Sequence, residues 1–322
     1  MYISQVYKVE HDWWRYIIGV FGAIIGVFIF SAPHLIALFM KAFDGTADRS
    51  KFEDMNYLLS LFEPNLNLVF ILLPFVGGLI CLLLLVKYLH KQSFKMLTTS
   101  RKKIDWKRFW FAFIFWGVIS SGLIFVDYFT NPEGYELNFK LGKFVVLCII
   151  AVILVPLQTS FEEYLFRGYL MQGLGVLAKN RWVPLLVTSA IFGLLHIANP
   201  EIEKLGYVLL VYYIGTGLFL GIITLMDDGL ELALGFHAAN NLFTALLVTA
   251  DWTAFQTHSI FKDISDPEKA GFIDVFAPVF IIFPILLFIF AKVYKWNNWK
   301  EKLFGAVVEP PKEDYKVLGE DI

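Results

Sequence analysis

Residues 144–168 read FVVLCIIAVILVPLQTSFEEYLFRG. From Phe144 to Leu157 no residue is charged; then Gln158, Glu162, Glu163 and Arg167 follow in quick succession, and apolar sequence resumes from Tyr169 to Leu177. An apolar run of ~20 residues suits a helix crossing ~30 Å of hydrocarbon. Ionisable groups within such a helix cost roughly 2.5–3.5 kcal/mol each near its centre, so they are expected to face a protein interior and to have a task there. On a helix Glu163 and Arg167 stand at i and i+4 and can pair on one face. Glu162 points about 100° away and is left free. One paired acid beside one unpaired acid suits a structural role next to a catalytic one.

The rest of the chain supports the membrane reading. Of its 322 residues 57% are hydrophobic and the mean hydropathy is +0.63, against ~45–50% apolar residues in a typical soluble domain. Further apolar segments run over 16–40, 68–88, 109–129, 183–198, 207–226, 232–250 and 272–293. With the span beginning at Phe144 they make an all-α, polytopic membrane bundle of about eight transmembrane helices. The first is long and lacks a small-residue cleavage site, so it reads as a retained span and not a signal peptide. Residues 1–142 form an N-terminal membrane region, 143–250 a core carrying nearly all the intramembrane polar residues, and 251–322 a loop, a last span and a flexible tail beyond Lys302. The net charge of −2 gives no reason to expect nucleic acid. Cys81 and Cys148, both in apolar spans, read as small buried hydrophobes with no disulfide framework.

Positive charge in short loops marks the cytoplasmic side. Lys87, Lys91, Lys95, Arg101, Lys102, Lys103, Lys107 and Arg108 cluster between the second and third spans with Asp105 as the sole acid. This places that loop, and with it both termini, in the cytoplasm, with the plasma (inner) membrane as the expected location. Asp44–Glu63, Asp127–Glu136 and Asp251–Gly271 then fall outside. The last of these, with Trp252 and Phe255, reads as a plain extracytoplasmic loop, the alternative being a role in shaping access.

Two more polar clusters interrupt apolar spans: Phe192-Gly193-Leu194-Leu195-His196 and His237-Ala238-Ala239-Asn240-Asn241. A lone histidine on an apolar helix is usually a packed one. His237 and Asn241 share a face at i and i+4, while Asn240 points elsewhere and reads as an interhelical hydrogen-bonding residue. At 1.5 Å per residue Glu162 and His196 lie roughly 27 and 24 Å from the turn at Asn180. His237 lies about 9 Å from Glu231. All three meet if the fourth and fifth helices protrude beyond the cytoplasmic surface, which puts the site below that surface and open to the cytoplasm.

Taken together, Glu162-Glu163…Arg167, Phe192…His196 and His237…Asn241 resemble the EExxxR, FxxxH and Hxxx(N/D) signatures of the CPBP family (CaaX proteases and bacteriocin-processing enzymes, also called Abi), which includes type II CaaX prenyl endopeptidase and lysostaphin-resistance-like proteins. The likeness covers roughly residues 143–250. It implies an eight-helix intramembrane endopeptidase acting on a membrane-associated peptide or protein, with a cavity reached from the cytoplasm and the lipid bilayer. By similarity Glu162 is the base for water, His196 holds that water or polarises the scissile carbonyl, His237 and Asn241 stabilise the oxyanion, and Glu163 with Arg167 fixes the helix. Glu162, His196 and His237 also make a candidate zinc set with an open fourth position, and a metal-free glutamate mechanism is the alternative. The HExxH, GxSG and GxGD motifs are absent. A non-catalytic scaffold or immunity protein of the same fold and a proton-coupled transporter are the competing readings; the chain has no internal repeat of the kind many transporters show.

Overall fold

A computed structural model of the protein describes residues 1–267, 271–309 and 311. Eight helices carry the architecture: α1 (Trp13–Phe43), α2 (Pro64–Tyr88), α3 (Trp106–Thr130), α4 (Leu141–Ala178), α5 (Trp182–Leu194), α6 (Leu210–Asp227), α7 (Glu231–Leu247) and α8 (Val275–Val293). Among the described residues six helices are long and apolar enough to cross a membrane. The expected spans at 183–198 and 232–250 are helical but shorter. A 3-10 turn, Leu195–Ala198, and the Asn199-Pro200 step end α5, because the residue before a proline is pushed out of helical backbone. At its end α7 gives way to a strand. Large side chains such as Phe21, Phe28, Ile36 and Phe129 stand exposed around the bundle, as lipid-facing surfaces do. The protein is an integral multi-pass membrane protein.

Close helix packing rests on small residues, since apolar side chains gain little from leaving lipid for one another. On its inner face α1 buries Gly19 against Tyr169 of α4 and Gly26 against Gly77 of α2. A side chain at Gly77 would strike the Gly26 carbonyl and the Phe30 ring. Gly77→Val is therefore expected to destabilise the protein by about 1–3 kcal/mol through overpacking, read as a lower denaturation midpoint in detergent. An unchanged midpoint would contradict this packing.

The helices divide the loops between two faces. On one, the Tyr2 amide donates to Asp228 (3.1 Å), Arg101 holds Asp227 and Glu231 (2.8 and 3.1 Å), Lys302 and Arg108 pair with Asp228 and Asp227, and the Val307 amide donates to the Lys179 carbonyl (3.0 Å). The N-terminus, the basic loop and the segment after α8 thus share a face. The chain beyond Lys302, expected to be free, packs as far as Val307, with Leu303 and Val307 buried. Pro310 and residues 312–322 lie outside the described residues. On the opposite face His258 meets Glu63 (2.6 Å) and Asn138 donates to the Thr257 and Ser259 carbonyls. There a small sheet joins the all-α bundle: β1 (Tyr135–Leu137), β2 (Val248–Thr249) and β3 (Phe261–Asp263), in the order β1-β3-β2, with Glu136 opposite Lys262. It binds the chain after α7 to the α3–α4 connection, so part of the expected plain loop is structured.

Candidate active site

Irregular backbone flanks the acid pair of α4. Pro156 lies inside the helix, where it can donate no hydrogen bond, and Tyr164–Leu170 is wound as a π-helix. Such π segments are frequent at functional sites. Between them the helix presents Gln158, Glu162 and Glu163 to the interior.

Glu163 and Arg167 are both fully buried, 0% exposed, and pair at 2.8 Å. The guanidinium also donates to the Gly217 carbonyl (3.2 Å) and stacks 4.3 Å over the Phe192 ring, tying α4 to α5 and α6. The same Glu163 Oε1 accepts from His237 Nδ1 at 2.8 Å. Because a carboxylate only accepts, that bond assigns the ring proton to Nδ1. The other ring nitrogen, Nε2, then faces Glu162 Oε2 at 3.5 Å.

Glu162 is not free, as the helix geometry had suggested. Its Oε1 accepts from Gln158 Nε2 at 2.8 Å, one turn earlier on the same face. The carbonyl oxygen of Gln158 in turn accepts from Asn241 Nδ2 at 3.2 Å, and Asn240 donates to Asn241 Oδ1 at 3.1 Å. Trp116 donates to Asn240 at 3.1 Å, in keeping with the interhelical role expected of Asn240. One polar chain thus runs from α3 through α7 to the Glu162 carboxylate.

His196 sits on the 3-10 turn that follows α5. Its Nδ1 donates to the Phe192 carbonyl (2.7 Å), which leaves Nε2 as the free nitrogen, and Tyr213 stacks on the ring at 4.2 Å. Glu162, His196, His237 and Asn241 line one cavity of about 490 Å³. The sequence-predicted residues that line it therefore meet, while Glu163 and Arg167 stand behind its wall. Gln158, Tyr213 and Glu201 had no assigned role; Gln158 could have been found from its i, i+4 spacing to Glu162, the others only from contacts between distant segments. Glu201 hydrogen-bonds the Ala254 amide at 2.9 Å. Burial pushes its carboxyl above the usual carboxylate range, although that amide bond pulls the other way. Trp252, Thr253, Ala254 and Phe255 line the cavity too, so this part of the 251–271 segment borders the site.

No three His, Cys, Asp or Glu side chains among the described residues are disposed to hold a metal ion. Glu162, His196 and His237 are thus not grouped for a zinc ion, although each histidine bonds protein through Nδ1 and leaves Nε2 available, the arrangement common among metal-bound histidines.

The cavity does not open where expected. It is lined from the far end of α5, the start of α6, β2 and residues 252–255, and by nothing from the face that holds the termini. On that face the floor is closed by the buried cluster of Tyr164, Leu97, Leu230 and Leu234. Depth along the helices from the turn at Asn180 does not determine which side is left unpacked.

Residues 141–243 match a family model described as Type II CAAX prenyl endopeptidase Rce1-like. The chain is 35% identical over 167 residues to a Bacillus subtilis (strain 168) protein described as uncharacterized protein YyaK, a match covering 52% of this chain and 56% of that relative. The chain thus spans about half the length of the curated relative it matches. No solved structure matches. The likeness read from the three motifs is borne out, over nearly the same residues.

Proposed function

We propose that this chain, Rce1-like over residues 141–243, is an intramembrane endopeptidase that hydrolyses a peptide bond of a membrane-associated substrate by glutamate-activated water. The observation that carries the reading is the convergence of Glu162, His196, His237 and Asn241 on one cavity, with His237 held between two carboxylates. Peptide hydrolysis needs an activated water, a base, and donors where negative charge develops.

In the proposed reaction a water beside Glu162 attacks the carbonyl carbon and Glu162 Oε2 takes its proton. His196 Nε2 accepts a hydrogen bond from the same water and aims it. The oxyanion accepts from the Asn241 amide hydrogen not used by Gln158, and from His237 Nε2 when that nitrogen is protonated, the Glu163 carboxylate compensating the ring's charge. Glu162 then returns its proton to the departing nitrogen as the C–N bond breaks, leaving one acid and one amine. The scheme is written without a metal, its base and its donors being the chain's own side chains.

Asn241→Ala is expected to lower kcat by ~10²–10³-fold, as loss of one oxyanion donor does elsewhere, with KM nearly constant. A kcat within threefold of wild type removes Asn241 from this role. The decisive experiment compares the membrane peptidome of cells carrying wild-type or Glu162→Gln protein, with a chelator arm. Peptides that vanish with Glu162→Gln and persist with chelator support the scheme. Identical peptidomes favour a non-catalytic scaffold of this fold, and loss on chelation restored by zinc would require a metal step.

A further inference from the structure

The two faces of the bundle differ sharply in charge, and the cavity belongs to the less basic one. Lys91, Lys95, Lys102, Lys103, Lys179 and Lys300 all lie in short connections of the face that carries the N-terminus and the packed chain after α8. Such loops stay in the cytoplasm during insertion. The opposite face carries Asp44, Asp48, Glu133, Glu136, Glu203 and Asp251 among its connections, and bears the β-sheet and residues 252–255 that rim the cavity.

The floor and the mouth fix the direction of approach independently of charge. Beneath the site Glu163 and Arg167 are sealed in the interior, and Tyr164, Leu97 and Leu230 close the way to the basic face. Toward the other face the 3-10 turn that follows α5 stops two residues past His196, which leaves room that Tyr213, Glu201 and Trp252 only border. At the side Ile71 and Phe75 of α2, Leu165 of α4 and Leu195 of the turn after α5 line the same cavity, and Leu195 is 64% exposed at the bundle surface. The cavity wall is mostly aromatic and aliphatic.

We infer that the scissile segment enters from the extracytoplasmic side and the outer leaflet. The substrate class is then a membrane-anchored or exported polypeptide that presents an extended, apolar stretch at that face, and not the cytoplasmic C-terminus of a lipid-modified protein. The substrate half of the inference rests on the peptidase reading; the orientation half stands on geometry and charge alone.

Thiol labelling separates the two. In a Cys81→Ala/Cys148→Ala background, Asp251→Cys is placed beside the cavity rim and Lys103→Cys in the basic loop, both positions being exposed. A membrane-impermeant maleimide applied to intact spheroplasts is expected to label Asp251→Cys and spare Lys103→Cys, with both labelled after permeabilisation. The reverse pattern, or equal labelling of both in intact spheroplasts, overturns the inference while leaving the hydrolytic reading untouched. With orientation established, Glu162-dependent cleavage sites should map to extracytoplasmic or outer-leaflet segments; sites confined to cytoplasmic segments overturn the substrate class. Absence of any Glu162-dependent cleavage sinks the peptidase reading instead, and the labelling result still stands.

Discussion

On the proposed mechanism, Glu162→Gln is expected to lower kcat by about 10³-fold, within the ~10²–10⁴ range that a positioned general base contributes, and to leave the fold intact. At 1.36 kcal/mol per tenfold this is roughly 4 kcal/mol of lost transition-state stabilisation. The substitution isolates the base from its structural bonds. Glutamine keeps a carbonyl oxygen where Glu162 Oε1 accepts from Gln158, so the polar chain through Gln158, Asn241 and Asn240 can persist. Only proton acceptance is removed. Because Glu162 is 9% exposed and lies beside a second acid, replacing a charge with a neutral amide should hold or raise the denaturation midpoint, the usual trade between activity and stability. Steady-state kinetics on a purified substrate in proteoliposomes, paired with detergent denaturation, read both effects. Retention of more than a tenth of wild-type kcat would remove Glu162 as the base. A collapsed midpoint would mark it as structural.

Much of this arrangement is written in the chain, and what is not has identifiable causes. Long spans such as α2 and α8 are legible because hydrocarbon leaves a helix no alternative for its backbone groups, and hydropathy records that demand directly. The Glu163–Arg167 pair is legible because both residues lie on one helix at a spacing that helix geometry fixes. Convergence of Glu162, His196 and His237 follows from rise per residue once the turn at Lys179–Arg181 is located. The partners of Glu162 are another matter. Gln158 is visible one turn away, but its second bond goes to Asn241 on α7, and only packing brings α7 there. The π-helical Tyr164–Leu170 has no sequence pattern that separates it from α-helix. Trp252, Phe255 and Glu201 reach the cavity through a three-stranded sheet of two- and three-residue strands, too short to carry an alternation signal. The side on which the cavity opens depends on where side chains fail to fill space, which neither depth nor charge encodes.

Arg167→Met is expected to cost about 3–5 kcal/mol, the range for removing one partner of a buried ion pair. Methionine fills much of the same volume, so the loss is electrostatic and not a cavity. In the wild type Arg167 neutralises Glu163, donates to the Gly217 carbonyl and lies on the Phe192 ring; without it Glu163, 0% exposed, keeps His237 as its neighbour. Glu163→Gln should cost less, since the amide can still meet the guanidinium and the imidazole. The double variant Glu163→Gln/Arg167→Met leaves neither charge stranded and should be more stable than the sum of the single losses, with a coupling of ~1–3 kcal/mol as directly contacting residues show. Denaturation in mixed micelles measures the cycle. Activity separates the two functions of the pair: the double variant should refold the wall behind the cavity yet remain slow, because His237 has lost the carboxylate that sets its tautomer. Strict additivity of the stabilities would mean that Glu163 and Arg167 do not act on each other. Full activity in the double variant would mean that the histidine's orientation comes from packing against Phe192 and not from the acid behind it.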